Sequence, residues 1–296
     1  MSSAGQYVFR VDLFKQAVVP ALRDRKPFVS QDVLKKLKVT LKHLDLTTGD
    51  IDCVKGSARL VPMPAAVVQQ SPDGGLFERM DDDGLEFHAR GDDKSDDGMS
   101  DDEWSDGETT DDERNCPDTR FYQALKLHTI ASTYKTVWHF PDLVKWRMRC
   151  HDPSYLQGLN KEGSICYEIQ TVSEPFGVDG ALDTSRPCVV GYQVEMTRPL
   201  EGQLLTSELN ALIVLATKYD GYPAYSQCDE FVITVITGCD RQVRVAQSRV
   251  NMARKTFDVS LSRILDFESR IKNNWEDWII LLGWLAASVT PRACWG

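Results

Sequence analysis

The sequence lacks the features that mark secreted, membrane-bound or disulfide-stabilised proteins. Its first ten residues, MSSAGQYVFR, have neither the basic start nor the apolar stretch of a secretory signal. The longest apolar run, Trp278–Ala287, is about half of the roughly 20 residues that cross a membrane. The eight cysteines form no C-x-x-C pair, so we expect reduced thiols. These absences predict a chain that stays inside the cell, in the nucleus or the cytoplasm, with no membrane partner.

Common catalytic signatures are absent as well. The sequence contains no glycine-rich phosphate loop, no dinucleotide-binding fingerprint and no nucleophile-elbow motif of the serine hydrolases. It also shows no internal repeat, which argues against a solenoid or a propeller. No small-molecule cofactor is therefore evident, and any chemistry has to come from side chains outside these motifs.

Charge is distributed unevenly along the chain, whose formal net charge is −10. Residues 81–118 carry 17 Asp and Glu against three Lys and Arg, whereas residues 1–70 carry 11 basic side chains against six acidic ones. Self-repulsion and a shortage of apolar groups predict that residues 71–118 form an acidic disordered linker. This linker is either a solubilising spacer or a docking segment, in which residues 81–118 bind a basic protein partner.

The basic segment, residues 1–70, has a helical pattern. Ser30 is a candidate N-cap, and it precedes four leucines at helical spacing: Leu34, Leu37, Leu41 and Leu44. The polar side of this predicted helix carries four lysines: Lys35, Lys36, Lys38 and Lys42. They form either a solvated face or a basic face that contacts nucleic acid phosphates, DNA among them, or the acidic linker of the same chain.

Residues 119–296 have the pattern of an α/β domain. Helical spacing predicts helices over residues 121–134 and 204–219, and one or two closing helices within residues 257–287. Alternating or continuous apolar residues predict strands over residues 164–172, 188–197, 230–237 and 241–248. The third of these strands is nearly all apolar, which indicates a central position. We therefore predict a mixed central sheet that is flanked by helices.

Two carboxylates in this domain could carry chemistry. Glu195 lies on an otherwise apolar strand, and a buried carboxylate needs a partner or a metal ion. Strand alternation puts Gln193, Glu195 and Thr197 on one face. Asp179 lies between Gly177 and Gly180, where an Asp is often only a turn residue. If both carboxylates met at one sheet edge, they could bind Mg²⁺, which prefers oxygen ligands and can polarise a phosphodiester. The alternatives are a simple turn at Asp179 and an exposed strand end at Glu195.

Two segments carry a resemblance to a known family. The first is Val178-Asp-Gly-Ala-Leu, and the second is Arg186-Pro-Cys-Val-Val-Gly-Tyr-Gln-Val-Glu-Met-Thr-Arg-Pro. Together they resemble the fungal PD-(D/E)XK nuclease-like domain family, in which a Val-Asp segment precedes Arg-Pro, a hydrophobic strand and Glu-Thr-Lys-Arg-Pro. The resemblance implies a restriction-endonuclease-like core over residues 119–296 and Mg²⁺ bound by Asp179 and Glu195. Glu168 would be an accessory acidic ligand.

The sequence departs from the family pattern at Thr197, where the family has a lysine. That lysine orients the attacking water and offsets developing negative charge, and a threonine hydroxyl cannot supply a cation. Loss of one such group typically costs about 10²–10³ in rate. The resemblance therefore implies either a Mg²⁺-dependent phosphodiesterase acting on DNA or a catalytically degenerate relative. The alternative is a non-catalytic interaction module whose acidic linker binds a basic protein.

Overall fold

The structure is a computed structural model. It describes residues 26–69, 117–137, 146–149, 157–159, 165–177, 181–220, 225, 228, 230–251, 256–268 and 271–290. The helical prediction before residue 26 and nearly all of the acidic linker lie outside the described residues. Asp179 lies outside them too.

The described helices and strands follow one another in an α/β order. The N-terminal part contains α1 (Gln31–Leu37), β1 (Leu41–His43), β2 (Leu60–Val61) and α2 (Ala65–Gln69). The middle contains α3 (Pro117–Val137), β3 (Trp146–Arg149), β4 (Gln157–Leu159), β5 (Ile165–Pro175), β6 (Cys188–Glu195) and α4 (Thr206–Asp220). The last part contains β7 (Glu230–Cys239), β8 (Gln242–Asn251), β9 (Thr256–Leu261), β10 (Leu265–Asp266), a 3₁₀ turn (Lys272–Asn274), α5 (Trp275–Leu285) and β11 (Ser288–Val289).

One large mixed sheet organises these elements. Its strand order is β1-β9-β8-β7-β6-β5-β3, with β10 beside β8 and β4 beside β5. The pairs β6/β7 and β1/β9 are parallel, and the other pairs in this sheet are antiparallel. A parallel pair needs a crossover connection, and α4 lies between β6 and β7 in the chain. The predicted mixed sheet with flanking helices is confirmed.

The two faces of the sheet are covered by different helices. On β6, Val190 and Val194 point to the face covered by α3 and α5, whereas Val189 points to the face covered by α4. We call these the α3 face and the α4 face. Along β7 every residue after Glu230 is buried, which confirms its central position. Burial on both faces explains why β7 reads as a continuous apolar run.

The described N-terminal residues belong to this same sheet and its cores. β1 pairs in parallel with β9, α1 packs on the α4 face, and Leu44 to Val68 contribute to the core on the α3 face. Ser30 caps α1, since its hydroxyl accepts a hydrogen bond from the Val33 N–H at 3.3 Å. The prediction that one helix carries the four leucines from Leu34 to Leu44 is wrong. α1 ends at Leu37 because Lys38 takes a left-handed conformation (φ 58°), and the chain then enters β1.

The predicted closing helix within residues 257–287 is confirmed as α5 (Trp275–Leu285), but the first part of that range is a strand. Residues 256–261 form β9, in which Phe257, Val259 and Leu261 are buried and Asp258 is half-buried. The apolar run that follows is confirmed as a buried helix, α5, whose Trp284 indole donates to the Leu46 carbonyl at 2.9 Å. Within the described ranges no helix is long and apolar enough to span a membrane.

Candidate functional site

Glu195 is the last residue of β6, at the carboxyl end of the parallel pair. It pairs with Tyr167 on β5 and points to the α4 face, two residues beyond Gln193. Ser207, in the first turn of α4, lies near enough to the Glu195 carboxyl to favour its ionised form. The predicted sharing of one face by Gln193 and Glu195 therefore agrees with the register.

The Glu195 carboxyl group is buried and capped by backbone groups. Only 3% of Glu195 is exposed, and its Oε1 accepts hydrogen bonds from the N–H groups of Met196 and Thr197, both at 2.9 Å. Desolvation raises the pKa of Glu195 from 4.5 to about 7, while the Ser207 hydroxyl and the two backbone N–H groups oppose that rise. The strand end is thus not exposed, which excludes the simplest alternative reading of this residue.

Thr197 lies in the bend that follows β6 and is half-buried. Its hydroxyl and its N–H both favour the ionised form of Glu195. These two groups supply dipoles, whereas the lysine of the family pattern would supply a full positive charge.

The guanidinium groups near this bend are engaged elsewhere. Arg198 Nη2 binds Asp240 Oδ2 at 2.6 Å, and its Nη1 binds Glu268 Oε1 at 3.2 Å. Arg244 lies on the α4 face, where its Nε and Nη2 both bind the Glu208 carboxylate, at 3.0 and 2.5 Å. Its Nη1 donates to the Leu200 carbonyl. Both arginines therefore bind carboxylates other than that of Glu195.

The structure does not bring Glu168 to Glu195. In the β5/β6 register Glu168 pairs with Val194, whose side chain lies in the core on the α3 face. Because successive side chains on a strand alternate, Glu168 points to the face opposite Glu195. The expectation that these two carboxylates share a metal ion is corrected by this register.

Asp179 lies outside the described residues, so its distance from Glu195 stays a prediction. The described residues on either side of it, Gly177 and Ala181, are joined by an N–H to carbonyl bond of 2.8 Å in the connection from β5 to β6. That connection enters β6 at Cys188, and Glu195 lies at the other end of this eight-residue strand, roughly 23 Å away at ~3.3 Å per residue. In the described part of the chain, no group of three or more His, Cys, Asp or Glu side chains is placed to hold a metal ion.

The four predicted lysines divide between two elements. Lys35 and Lys36 are exposed on α1, and Lys38 is exposed at its C-cap. Lys42 lies instead on β1, partly exposed, with its Nζ 3.9 Å from the Asp258 carboxylate. Three of the four lysines are therefore exposed on α1 and its C-cap, and the fourth has an acidic neighbour.

Sequence reasoning missed a buried polar layer beside Glu195. It consists of Gln193, Thr237 and Arg244, which pair across β6, β7 and β8 and are 0% exposed, together with Glu208 of α4. Two signals could have revealed it. Arg244 is a charged residue inside a strand pattern, and Glu208 sits three residues after Leu205, whose N–H it caps at 3.0 Å.

Three of the described cysteines, Cys53, Cys188 and Cys239, are free thiols.

Comparisons of the chain with protein-family models, with curated proteins and with solved structures find no match.

Proposed function

We propose that this chain is a catalytically degenerate PD-(D/E)XK-like protein that binds nucleic acid through the α1 lysines and does not cleave it. The observation that carries the proposal is the state of Glu195, which is buried, capped by two backbone N–H groups and unaccompanied by a lysine at position 197. The resemblance of residues 178–199 to the family motif supports the choice of fold family.

The degenerate state follows from the electrostatics of the site. A phosphodiester transition state gains negative charge, and its stabilisation needs preorganised cations or donors. Thr197 supplies no cation, and the described arginines on either side of it, Arg198 and Arg244, bind acidic groups. Because backbone N–H groups already occupy Glu195 Oε1, this oxygen is poorly suited as a metal ligand. Mg²⁺ would require Asp179 and Glu195 together, and we derive no catalytic step through it.

Binding without cleavage would use the surface formed by Lys35, Lys36 and Lys38. These side chains belong to a short capped helix that is anchored by Leu34 and Leu37 in the core on the α4 face. A rigid base with three exposed ammonium groups suits contacts with backbone phosphates, which give affinity without sequence specificity.

The test is a pair of assays on the full chain with one labelled DNA duplex. Fluorescence anisotropy should show binding that weakens with salt, and the Lys35→Gln/Lys36→Gln/Lys38→Gln variant should lower the salt slope by about 3. Lys55→Gln, which removes an exposed lysine from a turn outside α1, is the control for loss of a positive charge elsewhere on the surface. Gel analysis with Mg²⁺ or Mn²⁺ should show no cleavage. Metal-dependent cleavage that disappears in Glu195→Gln would overturn the proposal.

A second candidate is a live Mg²⁺-dependent nuclease, in which the buried Glu195 carboxyl at the end of β6 would be the acidic residue of the family motif. The sharpest test is Thr197→Lys, which puts an ammonium group where the family pattern has one. If Glu195 belongs to a catalytic centre, this variant should cleave DNA at least 10²-fold faster than wild type, and adding Glu195→Gln should remove the gain. Equal inactivity of all three proteins supports the degenerate reading.

A further inference from the structure

A row of polar side chains crosses the sheet beneath the start of α4. Gln193 on β6 pairs with Thr237 on β7, and Thr237 pairs with Arg244 on β8, so all three point to the α4 face. Each of them is 0% exposed. Arg244 donates hydrogen bonds to Glu208 and to the Leu200 carbonyl. Among the described residues, the side chains of Gln193 and Thr237 have no such partners.

Gln193 is the unusual member of this row. Among the residues that the structure describes, no group forms a hydrogen bond with its Oε1 or its Nε2, and none forms one with Thr237 Oγ1. A buried amide without partners loses its hydrogen bonds to water and gains none in return, and the large majority of buried side-chain polar atoms in proteins are hydrogen-bonded. A small polar species in contact with Gln193 would remove this cost.

The chemistry of the amide selects that species. Gln193 presents an acceptor and a two-proton donor, so a cation would satisfy only its oxygen and an anion only its nitrogen. A water molecule donates and accepts, and the Thr237 hydroxyl can do either. Internal waters typically make about three hydrogen bonds to buried polar groups of this kind. We propose that Gln193 and Thr237, under the first turn of α4, enclose an internal water site.

This site differs in kind from a metal centre. The side chain that fixes its position is an amide, and the Glu195 carboxyl group next along β6 has two backbone N–H partners of its own. The water site would therefore persist whether or not the protein acts on nucleic acid, and it does not depend on the proposed function.

A high-resolution crystal structure of the full chain tests the proposal directly. The expected result is a density peak with oxygen-like height at 2.7–3.2 Å from both Gln193 and Thr237. Three results would overturn it: a direct bond between the Gln193 amide and Thr237, an ion at about 2.1 Å from the oxygens, or no density near either side chain. The internal reference is Gln247, on the other face of β7/β8, whose Nε2 bonds Thr234 Oγ1 directly at 3.1 Å.

Solution stability gives an independent readout. Gln193→Met and Thr237→Val are near-isosteric changes, and each should lower the urea midpoint because it leaves the water with one partner fewer. The double variant should recover at least half of the summed loss, since both partners and the water leave together. Losses that simply add would contradict a shared water.

Discussion

The protonation of Glu195 should make the stability of the protein depend on pH, and Glu195→Gln should remove that dependence. Burial raises the pKa of this carboxyl group from 4.5 to about 7 in the folded state. A raised carboxyl pKa means that the folded state holds the proton more tightly than the unfolded state. The contribution of Glu195 to stability is therefore fully present below about pH 4.5 and is lost as pH rises to about 7. At about 1.4 kcal/mol per pKa unit the loss amounts to roughly 3 kcal/mol.

Glutamine keeps the shape and the acceptor oxygen of this side chain but does not titrate. The free energy of unfolding should be measured by urea denaturation at several pH values between about 4 and about 8 for wild type and variant. The wild-type value minus the variant value should fall by roughly 3 kcal/mol across this range. Glu276→Gln, at an exposed acid in the first turn of α5, is the control for loss of one carboxylate. If the free energy of unfolding depends on pH in the same way for wild type and Glu195→Gln, the prediction is refuted, because Glu195 would then have the same pKa in the folded and unfolded states.

Other perturbations have equally definite expectations. Glu208→Gln should destabilise the protein by about 3–5 kcal/mol, because it leaves the fully buried Arg244 without its carboxylate partner. In urea denaturation, the double variant Glu208→Gln/Arg244→Met should recover much of that loss. Gly238→Ala should lower the free energy of unfolding by about 1–3 kcal/mol, because a Cβ there would lie 2.5 Å from the hydroxyl of buried Tyr192. Tyr192→Phe removes that hydroxyl and should restore part of the lost stability. Equal losses with and without Tyr192→Phe would contradict this explanation. Deletion of residues 81–113 should raise DNA affinity in anisotropy if the acidic linker competes for the α1 lysines, and unchanged affinity would discard that idea.

The elements that sequence patterns predicted correctly are the long ones. The helices α3 and α4 and the strands β5 to β8 lie within a few residues of their predicted positions. Each is long enough for its apolar residues to recur at helical or strand spacing. β9 was mistaken for helix because Phe257, Leu261 and Leu265 are four residues apart, which suits a helix. Phe257, Val259 and Leu261 of the same segment also alternate as in a strand. Pairing with β8 and β1 stabilises the strand over the helix.

For the candidate site, the sequence predicts only which side chains of a single strand lie on the same face of the sheet. Alternation along one strand puts Gln193 and Glu195 on the same face, and the structure agrees. The position of Glu168 depends on the register between two strands, and an irregularity between Ile169 and Thr171 shifts that register. The ion pair between Arg244 and Glu208 joins residues 36 apart and leaves no periodic signal in the chain.

The local hydrogen bonds of Glu195 explain how the fold can accommodate threonine at position 197. Both N–H groups that bind its carboxylate belong to the backbone of the next two residues, so they persist whatever side chain stands at 197. A buried carboxylate that depended on a lysine would be left uncompensated by the loss of that lysine, at a cost of several kcal/mol. Here the N–H groups of Met196 and Thr197 offset part of the cost of burying the carboxylate, and protonation near pH 7 removes the remaining charge. Stability of the strand end therefore does not depend on the side chain at position 197, and under the proposed function Thr197 would preserve the fold without catalysis.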